Sequence, residues 1–248
     1  ADLGESTAAT AYALALTASP AQLNNSPDIP RSFSALPTEY EGWSGTPALS
    51  GHAQGRATTP RPRLVWHDVV IPSDGVGGRI ALEFEDEVCG IRTQLRYHLD
   101  AHGVLAVDAS LTRAAELSPR IGDTAYTVGA FLALLPLPER ATEILDFTGK
   151  WCRERSPQRS PFGFGTHLRS AHRGKPGHDS PFLFAAGTEG FGFGHGEIWA
   201  VHLAWSGEQQ YLAERLPEGA GAFSSVLGAG EDLHPGEIIL EDGERYDA

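Results

Sequence analysis

Between residues 91 and 99 the chain alternates with a period of two: Ile91, Thr93, Leu95, Tyr97 and Leu99 are interleaved with Arg92, Gln94, Arg96 and His98, and Asp100 follows. A helix with this pattern would scatter its apolar side chains around the cylinder, whereas a strand gathers them on one face. The segment therefore predicts a half-buried antiparallel strand with one wet face. The segment before it obeys the same rule, with Ile80, Leu82 and Phe84 set against Ala81, Glu83 and Glu85. After a turn at Ala101-His102-Gly103, Leu105, Val107, Ala109 and Leu111 continue it. Tyr126–Leu135 is a continuous apolar run closed by Pro136 and Pro138, as expected of a strand buried on both faces. Glu143–Phe147, Ser180–Ala186, Glu197–Trp205 and Glu237–Leu240 are further strand candidates. In Glu197–Trp205 both sides are largely apolar, Trp199, Val201, Leu203 and Trp205 on one and Ile198, Ala200, His202 and Ala204 on the other. That predicts a central strand covered on both faces. Short strands separated by turns rich in Gly and Pro (29 and 17 residues) point to an all-β sandwich.

The first part of the chain reads differently. Thr7–Thr17 predicts a short helix ended by Ser19-Pro20. Residues 31–63, with Trp43-Ser44-Gly45-Thr46-Pro47 and Pro60-Arg61-Pro62, predict a long surface loop. At 248 residues the expectation is one domain, 1–248, in which 1–63 leads in and 64–248 forms the sheets. A net charge of −13 argues against a nucleic-acid or anionic-membrane surface. The charge is uneven: Lys150 to Lys175 holds seven Lys/Arg and one Glu, and Asp179 to the end holds thirteen Asp/Glu against Arg215 and Arg245. Solvated surfaces are the ordinary reading of such runs, and a functional basic patch is the other. No run of 18 apolar residues exists. Cys89 and Cys152 read as free thiols of a reducing, cytoplasmic setting, with one disulfide as the alternative.

The chain matches no chemistry-bearing template in full. Gly187–Gly196 is glycine-rich but lacks the Lys-Ser/Thr ending of a phosphate loop, and it reads as a hairpin connection with Phe191 and Phe193 tucked inward. His167, His172, His178, His195 and His202 cluster in sequence without a His-Glu-x-x-His or Cys-x-x-Cys spacing. No Gly-x-Ser-x-Gly elbow is present. Asp68, Asp179, Glu189 and Glu197 are carboxylates of the kind that sugar hydrolysis needs in pairs, but sequence places no pair in space. Trp43, in its Gly/Ser/Thr loop, is the aromatic best suited to stack on a sugar ring, whereas Trp66, Trp199 and Trp205 read as core.

Several blocks carry a resemblance. Gly174–Trp205 (GKPGHDSPFLFAAGTEGFGFGHGEIWAVHLAW), Tyr211–Gly219, Leu233–Ile239, Phe147–Arg159 (FTGKWCRERSPQR) and Gly42–His52 resemble the N-terminal domain of glycoside hydrolase family 36 α-galactosidases, the last block in the actinobacterial form. Ala1-Asp2-Leu3-Gly4 resembles the second half of a motif near the start of such enzymes, and the chain stops where relatives run on toward a (β/α)8 barrel, so it looks trimmed at both ends. The resemblance implies a large antiparallel β-supersandwich, here with one short N-terminal helix. It implies a retaining mechanism whose two aspartates sit on the barrel, the nucleophile in a Lys-Trp-Asp motif that this chain lacks. The chain alone is therefore expected to be inactive and to hold no catalytic residue, metal or organic cofactor. Its implied partners are its own barrel, further copies in a homo-oligomer, and an α-galactoside approached by Trp43 and Arg63. A stand-alone sugar-binding module and the same domain of a raffinose-synthase-like transglycosylase are the alternatives.

Overall fold

The computed structural model describes residues 34–118, 120–178, 183–216 and 225–248. The helix expected at Thr7–Thr17 lies outside them. Among the described residues the fold is all-β: fifteen strands in three antiparallel sheets, with helical geometry confined to two short 3-10 turns, Glu39–Glu41 and Ala115–Leu117.

The middle sheet has the order β1 (Leu49–His52), β6 (Tyr126–Pro136), β13 (Ser225–Glu231), β12 (Gln209–Arg215), β9 (Gly165–Ser170), with β14 (Ile238–Leu240) also beside β6. A five-stranded outer sheet runs β15 (Arg245–Asp247), β5 (Leu105–Arg113), β4 (Ile91–Leu99), β3 (Gly78–Asp86), β2 (Arg63–Val70). A four-stranded sheet runs β11 (Ile198–Val201), β10 (Phe184–Gly187), β7 (Glu143–Lys150), β8 (Arg153–Pro161). Phe84, Ile91, Leu95 and Leu111 of the outer sheet meet Leu49, Val128, Leu212 and Val226 of the middle sheet in one core. Ile144, Phe184 and Ala186 of the four-stranded sheet meet Tyr211, Ala213, Leu227 and Ala229 in a second. Successive residues of a strand point to opposite faces, so β12 and β13 feed both cores. Each large apolar side chain buried this way stabilises the fold by roughly 1.5–3 kcal/mol.

The alternating segments fold as the sequence predicts. Ile80 pairs with Tyr97, Leu82 with Leu95 and Phe84 with Thr93, and Leu111 stands opposite Thr93, so these side chains share one side of the sheet. The core covers only the first half of β4: Ile91, Thr93 and Leu95 are buried, whereas Leu99 is exposed. Tyr126–Leu135 falls within β6, which has strands on both sides and buries Tyr126, Val128, Phe131, Leu132 and Leu134, while Gly129 is exposed.

Three expectations need correction. Glu197–Trp205 is not a doubly covered central strand. Only Ile198–Val201 is extended, and β11 is the edge of its sheet with Ile198 52% exposed. Its inner side chains, Trp199 and Val201, pack on the second core, while the outer ones face solvent. The doubly buried strands are β12 and β13. The described part of the 31–63 segment, from residue 34, is not a plain surface loop either: Leu36, Ala48, Leu49 and Ala53 are almost fully buried, and β1 extends the middle sheet. Finally, Trp66 and Trp205 are exposed rather than core, and of the two hairpin phenylalanines Phe191 is buried and Phe193 fully exposed.

Candidate functional site: a basic groove at the β7–β8 hairpin

Strands β7 and β8 pair in register up to Thr148 and Ser156, then shift before Lys150 meets Arg153. The shift lies at Gly149. A Cβ there would lie 2.6 Å from the Arg153 carbonyl oxygen and 2.7 Å from that of His178, so only glycine lets the hairpin and the His178 segment close together. Beyond it, Cys152 (φ 65°) and Arg155 (φ 53°) occupy the left-handed region that non-glycine residues seldom adopt. This backbone throws Trp151 outward, 78% exposed, with its ring edge-on to the His178 imidazole at 6.2 Å between centroids. Strained backbone held by surrounding packing is common at functional positions.

The groove beside Trp151 has a volume of about 1050 Å³. Phe147 and Pro176 contribute apolar wall, and Lys150, Arg155, Arg173 and Lys175 face it together with Glu154 and His178. The backbone N–H groups of Glu154 itself and of Cys152 (2.9 Å) hold the Glu154 carboxyl below the usual carboxylate range. On the other side of β7, Asp146 is buried and accepts from His167 Nε2 at 2.9 Å, with Arg169 Nε 3.4 Å away. That cluster braces β7 against β9 across the two sheets.

The two residues singled out from sequence sit elsewhere and apart. Trp43 is half-buried against the first core, and its Nε1 donates to the Thr46 carbonyl at 2.9 Å. The loop is fastened by the buried Glu214 of β12, which accepts from the Thr46 amide at 2.6 Å and from the Thr46 and Thr166 hydroxyls at 3.2 and 2.7 Å. Arg63 starts β2 at the margin of the outer sheet, its side chain 67% exposed and 3.6 Å from Glu87. Trp43 is therefore an anchored residue rather than an open platform. The open platform is Trp151, whose only sequence signal was the basic, Trp-containing block at 147–159.

Of the remaining candidates, Asp179 lies outside the described residues. Glu197 ion-pairs with Arg140, whose guanidinium lies 5.2 Å over the Trp199 ring. Among the described residues no three His, Cys, Asp or Glu side chains converge as a metal site. Cys89 is buried, donating its thiol to the Ala57 carbonyl at 3.2 Å, and Cys152 is exposed; both are unpaired. No helix among the described residues is long and apolar enough to cross a membrane.

Comparison with known proteins agrees with the architecture. The chain is 30% identical over 192 residues to an α-galactosidase of Escherichia coli, an alignment covering 77% of this chain and 25% of that protein. Among solved structures it is similar to the galactosidase domain of the α-galactosidase–sucrose kinase AgaSK, at 18% identity and a TM-score of 0.72 over 93% of this chain and 32% of that one. It is equally similar to the α-galactosidase AgaB of Geobacillus stearothermophilus, at 18% identity and a TM-score of 0.72 over 92% and 32%. At such identity the structural likeness speaks for the fold alone. The chain spans about a quarter of the length of the curated relative. The model of the glycosyl hydrolase family 36 N-terminal domain matches residues 3–241, and the chain belongs to that family.

Proposed function

We propose that this chain is the non-catalytic N-terminal domain of an α-galactosidase that hydrolyses terminal α-galactosides, with the retaining chemistry carried by a separate barrel. The observation that carries the reading is the match of an N-terminal domain family over nearly the whole chain, together with its span of one quarter of an α-galactosidase. The domain's work is structural. Strand β2 is a sheet edge exposed along its whole length, with Leu64, Val65, Trp66, Val69 and Val70 accessible. Such an edge is a ready surface for further protein, and we assign it to contact between copies in the intact enzyme. Arg63, at the start of that edge, and Trp43, held on its fastened loop, are the residues we assign nearest the substrate. Two unpaired thiols fit a reducing, cytoplasmic compartment.

The test is direct. The purified chain, incubated with a chromogenic aryl α-galactoside, is expected to release no phenol above buffer. Turnover that co-purifies with the folded chain and saturates with substrate would refute the assignment.

A further inference from the structure

The basic stretch from Lys150 to Lys175 stands out in a chain of net charge −13, and the function proposed above makes no use of it. The fold concentrates part of it on one concavity. Among the described residues that line the groove, Lys150, Arg155, Arg173 and Lys175 stand with one carboxylate, that of Glu154. The ordinary account of basic residues on an outer strand is protection: charge and proline on an edge such as β8 discourage strand-to-strand aggregation. That account suits Arg153 and Pro157. It does not suit Trp151, since an indole 78% exposed at the hairpin tip adds to the apolar surface that protection removes.

We propose that the Trp151 groove binds an acidic saccharide, a pyranose sugar bearing carboxylate, sulfate or phosphate. An indole offers a broad apolar face with a single polar edge, which matches the C–H face of a pyranose ring. The surrounding cations supply charge-assisted hydrogen bonds to an anionic substituent. Glu154 and His178 can exchange hydrogen bonds with hydroxyl groups. A groove of about 1050 Å³ lies at the upper end of the roughly 300–1,000 Å³ typical of small-molecule sites, room for more than one sugar ring. An acidic peptide is the less fitting ligand. It would have to add as a strand along β8, where Pro157 and Pro161 have no N–H to donate. This inference stands on the groove and does not depend on the α-galactosidase reading.

The experiment is calorimetry and tryptophan fluorescence on the folded chain with trigalacturonic acid, alongside neutral raffinose and polyglutamate. Expected is saturable binding of trigalacturonate with a change in indole emission, weaker at higher salt. Trp151→Ala is expected to weaken it about tenfold, and Trp151→Tyr to retain most of it. A Lys150→Ala/Lys175→Ala double variant is expected to lose affinity and much of the salt dependence. Absence of saturable binding, equal binding by raffinose, equal competition by polyglutamate, or unchanged binding in Trp151→Ala would each overturn the proposal. A chain that binds trigalacturonate as expected and yet hydrolyses an aryl α-galactoside would refute the function proposed above while leaving this inference intact.

Discussion

Replacing Glu214 tests how the Trp43 loop is held. The carboxylate is 7% exposed and takes three hydrogen bonds, from the Thr46 amide at 2.6 Å, the Thr166 hydroxyl at 2.7 Å and the Thr46 hydroxyl at 3.2 Å. A hydrogen bond to a charged group contributes roughly 1.5–3 kcal/mol, and bonds that share one acceptor group do not add in full. The two hydroxyls can rotate toward other acceptors, but the amide cannot, and a buried N–H left unsatisfied costs about 1–3 kcal/mol. Glu214→Ala is therefore expected to destabilise the chain by about 2–4 kcal/mol. For a domain of this size about 1 kcal/mol lowers Tm by roughly 2–4 °C, so the melting point should fall by about 5–15 °C. Glu214→Gln keeps one carbonyl acceptor and should lose less than half as much. Amide hydrogen exchange supplies the local readout: in Glu214→Ala the Thr46 amide should lose more protection than the amides of β4 and β5, and in Glu214→Gln it should lose less. If Glu214→Ala melts within about 1 °C of the parent, or if Thr46 exchange is unchanged, Glu214 does not fasten the loop.

Other consequences follow from buried polar groups. Arg113, almost fully buried, donates from Nε to the Thr124 carbonyl at 2.9 Å and from its two terminal nitrogens to the Gly90 and Gly122 carbonyls. Lysine keeps the charge but not the fork, so Arg113→Lys should cost about 2–4 kcal/mol, read by urea unfolding; a loss under about 0.5 kcal/mol would refute the role. A thiol reagent should label Cys152 alone in the native chain and Cys89 only on unfolding, because burial, aided by nearby Asp86, pushes the Cys89 thiol up and keeps it protonated. Burial also raises the phenols of Tyr126 and Tyr246 and pushes Tyr97 up to about 12, against about 10 in an unfolded chain. The folded state thus holds these protons more tightly. The stability they contribute is fully present below about pH 10 and is lost as pH rises toward and through 12. Urea midpoints should fall steeply over that range, and Tyr97→Phe should make the fall shallower.

The parts of the fold legible in the sequence are those where periodicity and environment coincide. β3, β4 and β5 alternate because one face is wet and the other packs on the middle sheet, and the registry of Phe84, Thr93 and Leu111 follows from that alternation. The centre of the fold lies where polar side chains break the apolar pattern. Gln209-Gln210-Tyr211-Leu212-Ala213-Glu214-Arg215 looks like a surface strand, yet Gln209, Tyr211, Leu212, Ala213 and Glu214 are buried. The polar members are tolerated because each is paired: Tyr211 donates its hydroxyl to Gln209 Oε1 at 2.8 Å, the Gln209 amide donates to the carbonyls of Leu203 and Trp205, and Glu214 holds Thr46 and Thr166. Conversely, Ile198–Val201 is apolar on both sides and still lies at an edge, because a strand is covered by its neighbours and not by its composition.

The same distinction separates the two tryptophans. A Gly/Ser/Thr context made Trp43 look solvent-exposed, but small residues also permit close packing. At Gly45 a Cβ would fall 2.9 Å from the Trp43 ring and 2.5 Å from Glu214 Oε2. Trp151 is flanked by a bulge and two left-handed residues, geometry that a Lys-Trp-Cys-Arg string does not announce. The side chains that fasten the loops share a further property. Asp86 accepts from the amides of Arg61, Val88 and Cys89, Arg113 donates to three carbonyls, and Glu214 takes the amide of Thr46. Their partners are mostly main-chain groups, which almost every residue carries, so such contacts leave no pattern of paired residue types along the chain. An ion pair between side chains has two residues to vary, whereas a fastener of this kind has one. Compensating substitution at the far end is then unavailable, and loss of Asp86, Arg113 or Glu214 has to be met by movement of the loop itself.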